Sequence, residues 1–181
     1  MSDVAIVVGH HPDAPGAALQ LGPRSIHEYE LWAPFARELA LTLEAENIEA
    51  SVVHRPHEDP DQALAQQVNE TNAAAAIELH FNAYDGPAKG TEMLHWPTST
   101  DGEHLATLLQ THVTDALGTE HRRVVGTQEF SFLRLTEMPA VICEPAFGTN
   151  PQDAWRLLTH QPSLLRAYRQ ALTDYVGGVP A

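Results

Sequence analysis

Cysteine is almost missing from this chain: Cys143 is the single one in 181 residues. No internal disulfide can therefore brace the fold. Its setting, "PAVICEP", reads as a buried apolar run in which the thiol serves as a small hydrophobe. Basic residues are also scarce, 10 against 24 acids, for a formal net charge of −14. A balance that acidic excludes a nucleic-acid partner, because nothing offsets phosphate repulsion, and anionic membrane surfaces would repel it too. No apolar run approaches the roughly 18 to 20 residues of a membrane span, so membrane insertion is excluded as well. The opening "MSDVAIVVGHH" lacks the basic start and the longer apolar stretch of a secretory signal. The expectation is a chain that is cytoplasmic as synthesised.

The apolar share of 43% is near the globular norm, and the length suits one domain over residues 1–181. Strand-like and helix-like segments alternate. "VAIVVGHH" reads as a buried strand, followed by a Gly- and Pro-rich loop, "PDAPGAALQLGPRSI". A helix runs from about Glu28 to Glu46, with Leu31, Phe35, Leu39 and Leu43 on one face. Pro34 is tolerable only in a first turn, which predicts a start between Tyr29 and Ala33. "IEASVVHR" is a second strand and "PDQALAQQVNETN" a second helix, with Asp59 as its candidate cap. "AAAAIELH" and "GTEMLHW" are further strands. A helix over 100–117 buries Leu105, Leu108, Leu109 and Val113. "FSFLRL" and "PAVICEP" read as two more strands, and helices over 151–159 and 162–176 close the chain. The pattern predicts an α/β fold with a mainly parallel, about six-stranded twisted sheet flanked by helices on both faces.

In such sheets, sites form beyond the carboxyl ends of the strands. One strand here ends on His10 and His11, another on His80, another on Glu144, while Glu28 opens the first helix. Two histidines and a carboxylate are a set that catalytic zinc uses, with a fourth position left for water. A further carboxylate that is not a ligand can then take that water's proton. Each residue alone has an ordinary reading: a strand-end histidine can be structural, Glu28 a charge favoured by the helix dipole, Glu144 a solvated turn residue. Their coincidence at strand ends points to a site.

The order and wording of four segments go further. "VVGHHPDAPGA", Glu28 ahead of a helix with Ala33, Ala36, Leu39 and Leu43 in register, "ELHFNA" followed by "GTEML", and "PAVICEPAFGTN" occur in that sequence. Together they resemble the zinc-dependent N-acetylmuramoyl-L-alanine amidases of the third amidase family, which cleave peptidoglycan. The resemblance spans nearly the whole chain. It implies one zinc ion bound by His10, Glu28 and His80, Glu144 as catalytic carboxylate, peptidoglycan as substrate, and an α/β catalytic domain. With no export signal and no separate wall-binding domain in view, it also implies a phage-endolysin-like lysis enzyme that meets the cell wall only after release.

The chain departs from that family's pattern in two places. Gly-His-Gly-Gly has become Gly9-His10-His11-Pro12, so the first loop loses glycine freedom and His11 becomes a rival ligand to His10. Ser-Ile-His has become Glu78-Leu79-His80. Glu78 shares a strand face with His80 and can either orient its ring or pair with a neighbouring base. Glu30 rivals Glu28, which the helix register favours. Asn82 reads as a turn-maker, and it and His11 are also candidates, like Glu78, to support the ligands from behind. Trp96 and Tyr84, on loops following strands, are expected as groove walls, and Arg122 and Arg123 as a local basic patch. Three rival readings remain: a related zinc amidohydrolase or carboxypeptidase acting on a small acyl-amino acid, a wall-binding relative without catalysis, and a structural-zinc protein. The last has too few cysteines for a closed site of the usual kind. The oligomeric state is not legible.

Overall fold

The computed structural model describes residues 2–21, 24–57, 60–84 and 87–178. Its elements run β1 (Val4–Val8), β2 (Ala18–Leu21), β3 (Arg24–His27), α1 (Glu28–Glu44), β4 (Ala50–His54), α2 (Pro60–Glu70) and β5 (Ala75–Leu79). They continue through β6 (Thr91–His95), α3 (Thr100–Leu117), β7 (His121–Gly126), α4 (Ser131–Leu135), β8 (Ala140–Glu144), α5 (Pro151–Thr159) and α6 (Gln161–Gly178). Six strands form one sheet in the order β4-β1-β5-β8-β6-β7, and β2 and β3 form a separate antiparallel hairpin. Within the sheet only the β6–β8 pair is antiparallel. The fold is α/β with a mainly parallel mixed sheet, as the alternation of segments predicts.

Strands β1 and β5 are buried at every position, because helices cover both faces; that is why they read as unbroken apolar runs rather than alternating ones. Val4, Ile6 and Val8 pack with α1, α3, α5 and α6 on one side. Ala5 and Val7 point the other way, onto Leu64 and Val68 of α2 and Phe132 and Leu133 of α4. In α1, Leu31, Phe35, Leu39 and Leu43 are buried as their four-residue spacing requires. The helix nevertheless starts at Glu28, ahead of the range inferred from Pro34, which sits inside it. The first turn is held from outside: Glu30 Oε2 accepts the His27 backbone N–H at 2.8 Å. Proline costs the bond its own N–H would have given, and the packed apolar face of α1 outweighs that loss.

Two other segments differ from the sequence reading. "FSFLRL" forms the short helix α4 rather than a strand. Its neighbours Phe132 and Leu133 are both buried while Phe130 is partly exposed, a pattern of one helical turn. Over five residues the helical and strand periods cannot be told apart. The sixth strand is instead β7, "HRRVVG", which pairs only with β6 at the sheet edge and carries the charged residues that edge strands tolerate. The Gly- and Pro-rich stretch expected as loop contains the β2–β3 hairpin. Asp59, the expected cap of α2, lies outside the described residues. Cys143 is buried and free, and burial pushes its thiol well above the usual range. Among the described residues no helix is long and apolar enough to cross a membrane.

Candidate metal centre and its neighbouring carboxylate

Parallel register sets the site. Val8 lies level with Leu79, and Leu79 with Cys143. His10 is therefore two residues past this line, and His80 and Glu144 one each, all at the carboxyl edge of three adjacent strands. Glu28 reaches the same place from the first turn of α1. That turn is tied down by backbone bonds from Glu28 N to Ala17 O (3.1 Å) and from Tyr29 N to Pro15 O (3.0 Å). The hairpin hidden in the first loop thus aims Glu28 at the strand ends.

His10, Glu28 and His80 each offer a donor atom, and these atoms all lie within 4.8 Å of one another. Glu28 Oε1 stands 3.2 Å from His10 Nε2, and Glu28 Oε2 stands 3.1 Å from His80 Nδ1. The two rings meet edge to face with centroids 4.8 Å apart. Glu28 also accepts the backbone N–H groups of Ala17 (2.9 Å) and Phe81 (3.0 Å), so both oxygens are fixed in direction. Burial opposes its charge, but hydrogen bonding with His10 and His80 wins and holds its pKa down at about 2. His80 shows the reverse balance. Burial works against its proton, yet Glu78, Glu28 and Glu144 raise its pKa to about 10. A pocket that binds a proton so tightly is one whose negative charge calls for a cation, and imidazole with carboxylate suits a borderline divalent metal.

Two glycines make room. A Cβ on Gly9 would overlap the His80 ring. Gly16 has φ +83°, and a Cβ there would lie 2.6 Å from His10 Cδ2 and 2.8 Å from Glu28 Oε1. Gly16→Ala combines a left-handed backbone with a clash against two donors. It should cost about 1–3 kcal/mol and weaken metal retention, measured by thermal unfolding and elemental analysis. An alanine variant as stable and as metal-loaded as the parent would show that this wall is not tight.

Behind His80 lies a chain of charges. Glu78 is almost fully buried, with Oε1 at 3.5 Å from His80 Nε2 and 2.7 Å from Arg55 Nη2. Arg55 Nε donates to Gly9 O at 2.6 Å and Nη1 to Asp61 Oδ1 at 2.9 Å. Glu78 therefore does both things its position allowed: it faces the ring of His80 on the side away from Glu28, and it pairs with a base. A carboxylate on the second nitrogen is how histidine rings beside metals are oriented. Arg55 closes the sequence "SVVHR", and its role depends on β4 lying beside β1, which no local pattern states. Arg55→Ala removes one of the two cations beside buried Glu78 and leaves it with His80 alone, which should destabilise by about 3 kcal/mol, with Arg55→Lys recovering part. A loss under 1 kcal/mol in denaturant titration would mean water reaches Glu78.

Among the described residues Glu144 Oε2 is buried without a hydrogen-bond partner, and Glu144 lines a cavity of about 200 Å³ together with His80, Arg55 and Glu78. Burial raises its pKa to about 8; His80 pulls the other way, while Glu28, Glu92 and Glu78 add to the rise. Glu92 sits directly across the antiparallel β6–β8 pair from Glu144. It is buried and held by Arg122 Nε, by Arg123 Nε at 2.9 Å and by Asn82 Nδ2 at 3.0 Å. Asn82 thus holds Glu92 rather than the histidine cluster, and its backbone ties to Ala146 and Gly148. The two arginines spend their Nε groups on the same buried carboxylate. Glu92 was visible in "GTEML", but nothing in the sequence said that β6 runs against β8.

That reversal also corrects the groove walls. Because β6 is antiparallel, its end lies at the opposite edge of the sheet, where Trp96 lines a surface cavity with Pro139 and Ala140. Trp96 cannot border the site. Tyr84 precedes β6 and stands exposed, its backbone bonded to Thr149 Oγ1. His11 turns away from the cluster toward Asp13 (3.7 Å). Glu30 is exposed and serves the helix start.

Such a set, three metal-type donors at the carboxyl edge of a parallel sheet beside a buried carboxylate with no hydrogen-bond partner among the described residues, suits a metal site of the kind hydrolytic enzymes use. The chain belongs to the N-acetylmuramoyl-L-alanine amidase family, whose model matches residues 4–174. It is 30% identical over 105 residues to the N-acetylmuramoyl-L-alanine amidase LytC of Bacillus subtilis strain 168, covering 55% of this chain and 21% of that protein's length. Among solved structures, the N-acetylmuramoyl-L-alanine amidase from Clostridium difficile 630 matches with a TM-score of 0.84 and 24% identity over 99% of this chain and 98% of that one. The catalytic domain of the CD27L endolysin targeting Clostridia difficile matches with a TM-score of 0.78 and 23% identity over 96% and 98%. At these identities the structures speak for the fold.

Proposed function

We propose that this chain hydrolyses the amide joining the lactyl group of N-acetylmuramic acid to the L-alanine of the peptidoglycan stem peptide. The observation that carries the reading is the meeting of His10, Glu28 and His80 within 4.8 Å on a chain that belongs to this amidase family. His10, Glu28 and His80 would hold one zinc ion; two imidazoles and a carboxylate suit it. Bound there, zinc supplies Lewis acidity, lowering the pKa of water and polarising the scissile carbonyl.

The protein's own groups supply the rest. Glu144 takes a proton from the attacking water and later gives it to the leaving amine. Burial raises its pKa to about 8 in the metal-free protein, and a dication held by the neighbouring cluster would lower it toward the range in which one carboxyl serves first as base and then as acid. Glu28, with its pKa held at about 2, stays ionised as a ligand. Glu78 and Arg55 fix the His80 ring from behind, and Gly16 leaves the space in which His10 and Glu28 face each other.

Mass spectrometry of purified peptidoglycan after digestion tests this. Free stem peptides beginning at L-alanine, with glycan strands keeping intact lactyl groups, are expected. Shortened stems still joined to muramic acid would favour a carboxypeptidase, and no product from wall alongside hydrolysis of small acyl-amino acids would favour the smaller substrate.

A further inference from the structure

We propose that His11, Asp13 and His57 form a second binding site for a divalent transition ion of the zinc type, at the mouth of the cavity whose inner end His10 and His80 line. The register of the sheet brings the three residues together. Val8 of β1 lies level with His54 of β4, and His11 and His57 each stand three residues past that pair. The two loops therefore leave the sheet side by side. The turn after His10 is closed by His11 N to Ala14 O (3.3 Å) and Ala14 N to His11 O (3.0 Å), which holds His11 and Asp13 on one short loop.

Asp13 stands within reach of both rings. Asp13 Oδ2 is 3.7 Å from His11 Nδ1 and 4.0 Å from His57 Nε2, and the two rings meet edge to face with centroids 5.2 Å apart. Metal–ligand bonds of about 2.0–2.2 Å in a tetrahedral site place donor atoms about 3.4 Å apart. The observed separations exceed that by a few tenths of an ångström. Asp13 and His57 are exposed, so side-chain rotation can close the difference without moving the sheet. His11 Nδ1 accepts the Asp13 backbone N–H through a long 3.2 Å bond. That bond occupies the Nδ1 lone pair, so it must open before Nδ1 can take a metal.

His11, Asp13 and His57 line the same cavity of about 310 Å³ as His10 and His80. The side chains of His57 and Asp13 are 69% and 75% exposed, against 16% for His80, which puts the new set on the solvent side. It is separate from the first site: His10 and His11 are adjacent in sequence, but His10 faces Glu28 and His11 faces Asp13. A dication held here would give a strongly acidic chain a local positive charge beside its candidate active site.

Zinc binding to the intact protein tests the site, independently of any hydrolytic activity. Equilibrium dialysis with Zn²⁺ alone, read by elemental analysis, should saturate at roughly two equivalents in the wild type, the second weaker than the first because its donors are solvated and mobile. His57→Ala and Asp13→Asn, both at exposed positions, should saturate at roughly one. Glu28→Gln should lose the tight equivalent and keep the weaker one. Saturation of the wild type at one equivalent, a second equivalent undiminished in His57→Ala and Asp13→Asn, or its loss in Glu28→Gln would each overturn the proposal.

Discussion

Glu144→Gln should keep its fold and its metal and lose turnover by about 10²-fold or more, the scale of lost general acid–base help. The amide matches the carboxyl group in shape, and Glu144 Oε2 has no hydrogen-bond partner to lose. Stability should rise rather than fall in the metal-free protein. A carboxyl whose folded pKa stands at about 8, against an ordinary 4.5, prefers its neutral form when folded. Its contribution is fully favourable below pH 4.5 and is lost progressively as pH climbs toward 8. At pH 7 folding must therefore hold a proton on this carboxyl that the unfolded chain has released, and the amide, neutral without that proton, should relieve about 1 kcal/mol or more. The checks are initial rates on purified wall, elemental analysis, and thermal midpoints at pH 5 and 7. A variant that loses its metal would place Glu144 among the ligands. One that hydrolyses wall at a near-parental rate would leave the reaction without its base.

How much of this could be read from sequence depended on whether neighbours along the chain are neighbours in space. His10, His80 and Glu144 stand at the ends of apolar runs that could only be central strands, so strand reading and site reading were the same act. Glu28 was legible through the helix register, although the hairpin that aims it was hidden: Leu19 is fully buried in a stretch whose glycines and prolines read as loop. Arg55 and Glu92 were out of reach because their meaning lies in strand order and direction. Arg55 matters because β4 flanks β1, and Glu92 because β6 runs against β8. The same reversal carries Trp96 to the far edge. Strand direction is decided by the connection and by what the sheet edge can pair with, and no local pattern in "GTEMLHW" encodes it. In "FSFLRL" the fault was length, since one helical turn and a short strand bury similar pairs of residues.

His80→Ala should abolish metal retention and, with it, wall hydrolysis. The ring is the central member of the cluster: Nδ1 faces Glu28 at 3.1 Å and Nε2 faces Glu78 at 3.5 Å, so its loss removes a donor and also uncouples two buried carboxylates. The same ring governs how pH acts on the site. In the metal-free protein its pKa stands at about 10, which means a metal must displace a proton that the fold holds firmly. Affinity should therefore climb by about tenfold per pH unit from pH 7 toward 10, for one proton released. The stability of the metal-free protein should move the opposite way. A histidine raised from 6.5 to about 10 contributes fully below pH 6.5 and loses that contribution as pH rises through 10. Chelator-treated wild type should thus melt lower at pH 9.5 than at pH 7, while His80→Ala shows little of that slope. Competition titrations with a chelator of known affinity measure the first trend, and thermal melts of stripped protein the second. Metal affinity that stays flat over this range, or a stripped His80→Ala variant that keeps the wild-type slope, would mean that His80 is not the group the metal displaces a proton from, and the ligand set would have to be redrawn.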